Sequence, residues 1–215
     1  AKADFTFFLN DRHTFEAGAH LKRHNMRLAQ EFANWSYEAF DITAYVPSVY
    51  AQDAWRPWPF LTIQPGVRAS YFVAENDNPD ETLPNFGKTA SYLDVDPRIT
   101  VRYQVGDNTF LKGAYGRYTQ YVFRVPREMQ GISVMSDIWF TVDASRGPQH
   151  SNHYIAGFET TLWQDLDVTA EIYYKDYEDI GEFDFRAEAP QSTDEALLSG
   201  RQQCTSRSGY RFLHL

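Results

Sequence analysis

The sequence predicts an all-β chain, an antiparallel up-and-down meander of about eight strands that forms part of a larger transmembrane β-barrel. Three observations predict it. Apolar and polar residues alternate with a period of two over segments of about ten residues, longer than the five or six usual in soluble sheets and suited to a tilted strand crossing a bilayer. The connections alternate between about three residues and about twenty or more, where a compact soluble domain rarely carries several such loops. No apolar stretch approaches the roughly 20 residues of a spanning helix, which excludes a helical membrane protein.

The strands are expected near 3–9, 13–23, 48–56, 60–72, 96–105, 109–120, 149–163 and 167–178. In the second, Phe15, Ala17, Ala19 and Leu21 oppose Thr14, Glu16, Gly18, His20 and Lys22. Neither face of 48–56 is clean, and its neighbours place it. In the fourth, Leu61, Ile63, Pro65, Val67, Ala69 and Tyr71 oppose Thr62, Gln64, Gly66, Arg68 and Ser70. In the fifth, Ile99, Val101, Tyr103 and Val105 alternate with Arg98, Thr100, Arg102 and Gln104. The sixth and seventh are noisier, with Leu111, Gly113 and Tyr115 against Lys112 and Gly116, then Tyr154, Ala156, Phe158 and Leu162 against His153, Gly157 and Glu159. The eighth is cleanest: Val168, Ala170, Ile172 and Tyr174 on one face, Thr169, Glu171, Tyr173 and Lys175 on the other.

Tight turns are expected at Asn10-Asp11-Arg12, Pro57-Trp58-Pro59, Gly106-Asp107-Asn108 and Gln164-Asp165-Leu166, all rich in turn formers. Long loops are expected at 24–47, 74–95, 121–148 and from 179 onward. Aromatics make up 16% of the chain, more than one soluble core needs. Trp55, Trp58, Phe60, Phe110 and Trp163 beside the short turns, with Tyr71, Phe72, Tyr118, Tyr121, Tyr174 and Tyr177 at the far strand ends, predict two interfacial belts. Core of a soluble sandwich is the competing reading, since one strand alternates alike in both settings.

The net charge of −9, with bases interspersed among acids, excludes a nucleic-acid partner. Cys204 is the single cysteine, so neither an intrachain disulfide nor a cysteine metal cluster can form. No secretory signal is present, and because Ala1 already opens a strand pattern, the chain is expected to be cut from something longer.

Four strings, HTFEAGAHLKR (13–23), VYAQDAWRPWPFLTIQPGVRASYF (49–72), DPRITVRYQVGDNTFLKGAYGRYTQ (96–120) and HSNHYIAGFETTLWQDLDVTAEIYYKDYEDI (150–180), together resemble the barrel of TonB-dependent receptors, in the family's order and hairpin spacing. The resemblance covers most of 1–200, taken as the barrel segment. It implies the C-terminal part of a 22-stranded barrel in the bacterial outer membrane, filled by an N-terminal plug that imports a scarce nutrient with energy from a TonB-type protein. Outer-membrane lipid, that plug, the energising protein and a small-molecule, glycan or peptide ligand are the implied partners. Residues 201–215, RQQCTSRSGYRFLHL, depart from the family's Gly-aromatic-Gly strand and read as an atypical tail. A frameshifted or foreign end is the expectation, which the coding frame across codons 198–203 tests.

No catalytic residue, cofactor or metal is expected. His150, His153, Ser151 and Asp143 offer the residue types of a hydrolase, but no Gly-x-Ser-x-Gly elbow accompanies them, and rim polar groups are the commoner meaning. His20 and His24 align as zinc ligands on a helix but lie about 13 Å apart on a strand. The acidic run 75–81 could hold calcium, yet lacks the spacing and glycine of an EF-hand loop. Arg68, Arg102, Lys112 and Glu171, on the wet faces, are the candidates for solute contact or plug packing. The competing function is a self-contained eight-stranded barrel serving as anchor or adhesin, recognisable if 3–9 paired with 167–178. A lipid-modifying barrel enzyme lacks a nucleophile site.

Overall fold

The computed structural model describes residues 1–32, 35–76, 89–125, 128–129, 132–133, 138–142, 147–162, 166–179 and 208–214. All eight expected strands form: β1 (Lys2–Asn10), β2 (His13–Phe32), β3 (Trp35–Trp58), β4 (Leu61–Asn76), β5 (Ala90–Gly106), β6 (Thr109–Gln120), β11 (Gln149–Leu162) and β12 (Leu166–Glu178). Between β6 and β11 run the short β7 (Val122–Val125), β8 (Glu128–Met129), β9 (Ile132–Ser133) and β10 (Ile138–Thr141). The tail adds β13 (Ser208–His214). One nine-stranded antiparallel meander results, in the order β1-β2-β3-β4-β5-β6-β11-β12-β13. β7 pairs with β10 and β8 with β9 in two small ladders.

The sheet does not close on eight strands, because β12 pairs with β13 rather than with β1. That disfavours the self-contained small barrel. Within the tail, residues 208–214 supply β13, the strand next to β12. Its backbone continues the ladder from Glu171↔His214 to Tyr177↔Ser208.

Local chemistry sets the turns. Asn10 accepts the backbone N–H groups of Arg12 and His13 on its Oδ1, each at 2.9 Å, so its side chain closes the first hairpin. The second turn falls at Pro59-Phe60, two residues later than expected, because β3 is irregular between Trp55 and Trp58. The third occupies Asp107-Asn108, where Gln104 donates to the Asp107 carbonyl at 3.1 Å. The fourth expected turn lies outside the described residues, apart from Leu166, which opens β12.

The expected loop 24–47 is corrected: β2 and β3 pair as far as Phe32↔Trp35. Alternation persists here with the faces exchanged. Ile42, Ala44 and Val46 are buried on the face that carries Ser48, Tyr50 and Gln52 lower down. β4 makes the same exchange from Arg68 and Ser70 to the buried Phe72 and Ala74. The inserted segment explains it: Tyr121 stacks on Phe72 (5.1 Å, 13°), and Val142 completes the buried cluster. The start and end of the β6–β11 connection, joined by the Val142 N–H on the Tyr121 carbonyl at 2.9 Å, thus lean back over β3 and β4.

Candidate functional site

The register assigns each strand an apolar and a polar face, since residues opposite one another across a ladder share a face. On the apolar face Val49, Val67, Leu93, Leu111, Phe158 and Ile172 are exposed, Leu93 by 69%. The band has definable limits. On β12 it runs from Leu166 through Val168, Ala170 and Ile172 to Tyr174, then reaches Asp176. Eight residue steps at about 3.3 Å are roughly 27 Å along the strand, or about 20 Å across a membrane at the usual tilt.

At the short-turn end the limit is a His13–Asp53 contact of 2.6 Å, with Trp55 stacked on the imidazole. Trp58 stacks on Phe60, which meets Tyr103 edge-on at 5.7 Å. At the far end Tyr115, Tyr154 and Tyr174 form a ladder of rings 5.1 and 6.0 Å apart, and Arg23 lies over Tyr45. Two aromatic belts therefore exist, with corrected membership. Phe72 and Tyr121 are buried on the other face, Tyr118 and Tyr177 line a cavity there, and Phe110 lies 3.5 Å beneath the Arg102 guanidinium. Phe72 and Phe110 sit at polar-face positions of their strands, which proximity to a strand end does not reveal. Trp163 lies outside the described residues.

The polar face is wired across strands. Asp4 accepts from Lys2 (2.8 Å), the Tyr50 hydroxyl (2.8 Å) and His20 Nε2 (3.1 Å). The other ring nitrogen of His20, Nδ1, lies 3.2 Å from Arg68 Nη2, and Arg68 also donates to Ser48. Nearer the short turns Glu159 pairs with Lys112 and stands 3.7 Å from Arg102. At the far end Asp94 accepts from His150 Nε2 (2.9 Å) and the Tyr121 hydroxyl (2.8 Å), while Thr119 donates to Asp96 (2.7 Å). Asp179, in the left-handed conformation at φ 61°, brings its carboxylate to 3.8 Å from His150 Nδ1.

Above the first network a cavity of about 860 Å³ opens on this face, lined among others by Lys22, His24, Arg68, Asp96, Arg98 and His153. Burial, and then the nearby Lys22 ammonium, hold the His24 imidazole below its ordinary value. Burial, and then the bonded Asp94 carboxylate, hold the Tyr121 phenol well above the tyrosine range.

Of the four expected contact residues, Arg102 and Lys112 meet through Glu159, and Arg68 lies apart in the cavity wall. Glu171 lies opposite Gly157, its Cγ 3.3 Å from where a Cβ there would stand. Lys22, His24, Arg98 and Asp96 were missed as site residues. They share the polar parity of Arg68, but only the fold of the Tyr121 segment over the sheet makes a cavity of them. Ser151 and His153 do meet, at 3.0 Å, with the Tyr118 ring 4.6 Å from the imidazole. Asp143 and most of the acidic run 75–81 lie outside the described residues. No group of three metal-ligating side chains occurs among the described residues.

The family model described as TonB dependent receptor-like, beta-barrel matches residues 2–207. No curated protein matches the sequence. In fold the chain is similar to the FrpB iron transporter from Neisseria meningitidis (F3-3 variant), with a TM-score of 0.58 and 12% identity over 86% of this chain. The chain spans 28% of that transporter's length.

Proposed function

We propose, from the premise that this chain belongs to the TonB-dependent receptor-like β-barrel family, that it forms part of the wall of an outer-membrane receptor importing a scarce nutrient. The family is one of bacterial outer-membrane receptors and transporters rather than a class of enzymes. In this reading lipid covers the apolar face, a plug domain and solute share the polar face, and a TonB-type protein supplies the energy.

One observation carries the reading: a continuous band of exposed Val, Leu, Ile, Phe and Tyr crosses the eight expected strands. Soluble monomers rarely expose apolar patches beyond a few hundred Å². No second layer covers the band among the described residues. The opposite face supplies the hydrogen-bonded polar lining that a water-filled lumen requires.

Fractionation of expressing cells tests it. The chain is expected with the outer membrane, released only by detergent, and the band's side chains are expected to be labelled by a lipid-soluble photoreagent. A chain that stays monomeric in buffer without detergent, with Val67 and Ile172 protected, refutes the assignment.

A further inference from the structure

We propose that the cavity formed by Lys22, Arg68 and Arg98 binds an anionic solute carrying two or more carboxylate or phosphate groups. The inference rests on the receptor reading and names the substrate class of its lumen.

Charge balance is the first argument. Among the described residues three cations line the cavity against one carboxylate, Asp96, a formal excess of two positive charges in a chain of net −9. The acids nearby are already engaged. Asp96 accepts from Thr119, and Asp94 is held between Tyr121 and His150. Among the described residues Arg68 contacts His20 and Ser48 rather than a carboxylate, and neither Lys22 nor Arg98 has an ion-pair partner there.

Geometry is the second. Lys22 on β2, Arg68 on β4 and Arg98 on β5 put charge on three strands of the run β2 to β5, about 14 Å across at the usual strand spacing. Arg98 lies between Gly66 and Gly116 in the register, and the Tyr118 ring, 3.0 Å from where a Gly116 Cβ would stand, walls the second flank. The carbon stem of Arg98 takes the space over Gly66, 3.2 Å from where a Cβ would stand. A wide span of separated donors fits a ligand with separated anionic groups better than a single small ion. Tyr118 and Tyr177 add apolar wall and hydroxyls for the rest of the solute.

Calorimetric titration of the full chain in zwitterionic detergent tests this, with citrate and inorganic pyrophosphate as probes and maltose as the neutral comparator. Both anions are expected to bind one to one, more weakly as salt is raised. Arg98→Gln and Lys22→Gln should each weaken binding about tenfold. Arg98→Lys should restore most of the affinity, and Arg12→Gln, at the opposite end of the sheet, should leave it unchanged. Maltose binding as well as the anions, wild-type affinity in both neutral variants, or an equal loss in Arg12→Gln overturns the proposal. So does a folded chain that binds neither anion, which would leave the cations as partners for an acidic protein segment. Detergent partition and far-ultraviolet dichroism of the same samples report separately on the membrane reading, so the two failures are distinguishable.

Discussion

At the scale of single residues, Asp94 and Tyr121 do the most to give the far end of the sheet its shape. The Tyr121 hydroxyl donates to Asp94, and its ring stacks on Phe72, so one side chain ties the β6–β11 connection to both β5 and β4. Tyr121→Phe keeps the stack and removes the donor, which should cost about 1 kcal/mol. Tyr121→Ala also empties buried space and should cost about 3–5 kcal/mol, with faster proteolysis between Tyr121 and Val142 as the local readout. The phenol's raised pKa gives a pH signature. Folding favours the neutral form, so the contribution is intact below about pH 10 and is lost as the pH rises past that value. Alkaline denaturation in detergent should therefore fall less steeply for Tyr121→Phe than for the parent chain.

At the scale of elements, close packing governs β1 and solvation governs β12. A Cβ on Gly18 would stand 2.7 Å from the Ala3 carbonyl and 2.6 Å from the Tyr50 ring, and backbone cannot yield as a flexible side chain does. Gly18→Ala should thus push β1 from β2, cost about 1–3 kcal/mol, and accelerate hydrogen exchange across Lys2–Asn10. Gly113→Ala meets nothing within 4 Å and should be neutral in the same measurement. On β12, Ile172→Lys places a charge within the apolar band, one step inside Tyr174, and should cost about 1–3 kcal/mol for folding into vesicles. Thr169→Lys, on the opposite face of the same strand, should cost little. Equal penalties at 169 and 172 would mean that both faces meet the same medium.

At the scale of the whole molecule, the sheet's open edge is the dominant fact. β1 presents an unpaired row of backbone groups among the described residues, and such an edge pairs with whatever strand it meets. The chain on its own should therefore associate in detergent through β1, with exchange protection of Lys2–Asn10 rising with concentration. A strictly monomeric chain with freely exchanging β1 amides would count against an edge built for further strands. Period-two alternation, with the short turns placing the unclean strand 48–56, determined the strand count of the eight-stranded stretch, the hairpin order and the apolar-face set, because side chains of one strand reach their medium without help from distant residues. Val168, Ala170, Ile172 and Tyr174 needed nothing else to be assigned. The tertiary structure alone decided the rest. Ile42, Ala44, Val46 and Phe72 reverse the rule of their strands because a segment some fifty residues further along the chain from Phe72 folds against them. That inversion reads as noise in sequence, so 24–47 looks like loop. Likewise Lys22, Arg68 and Arg98 are ordinary wet-face residues until strand register and the inward fold of Tyr121 enclose them in one cavity. Alternation is a property of the nearest medium, whereas a cavity is a property of which distant strands are brought side by side.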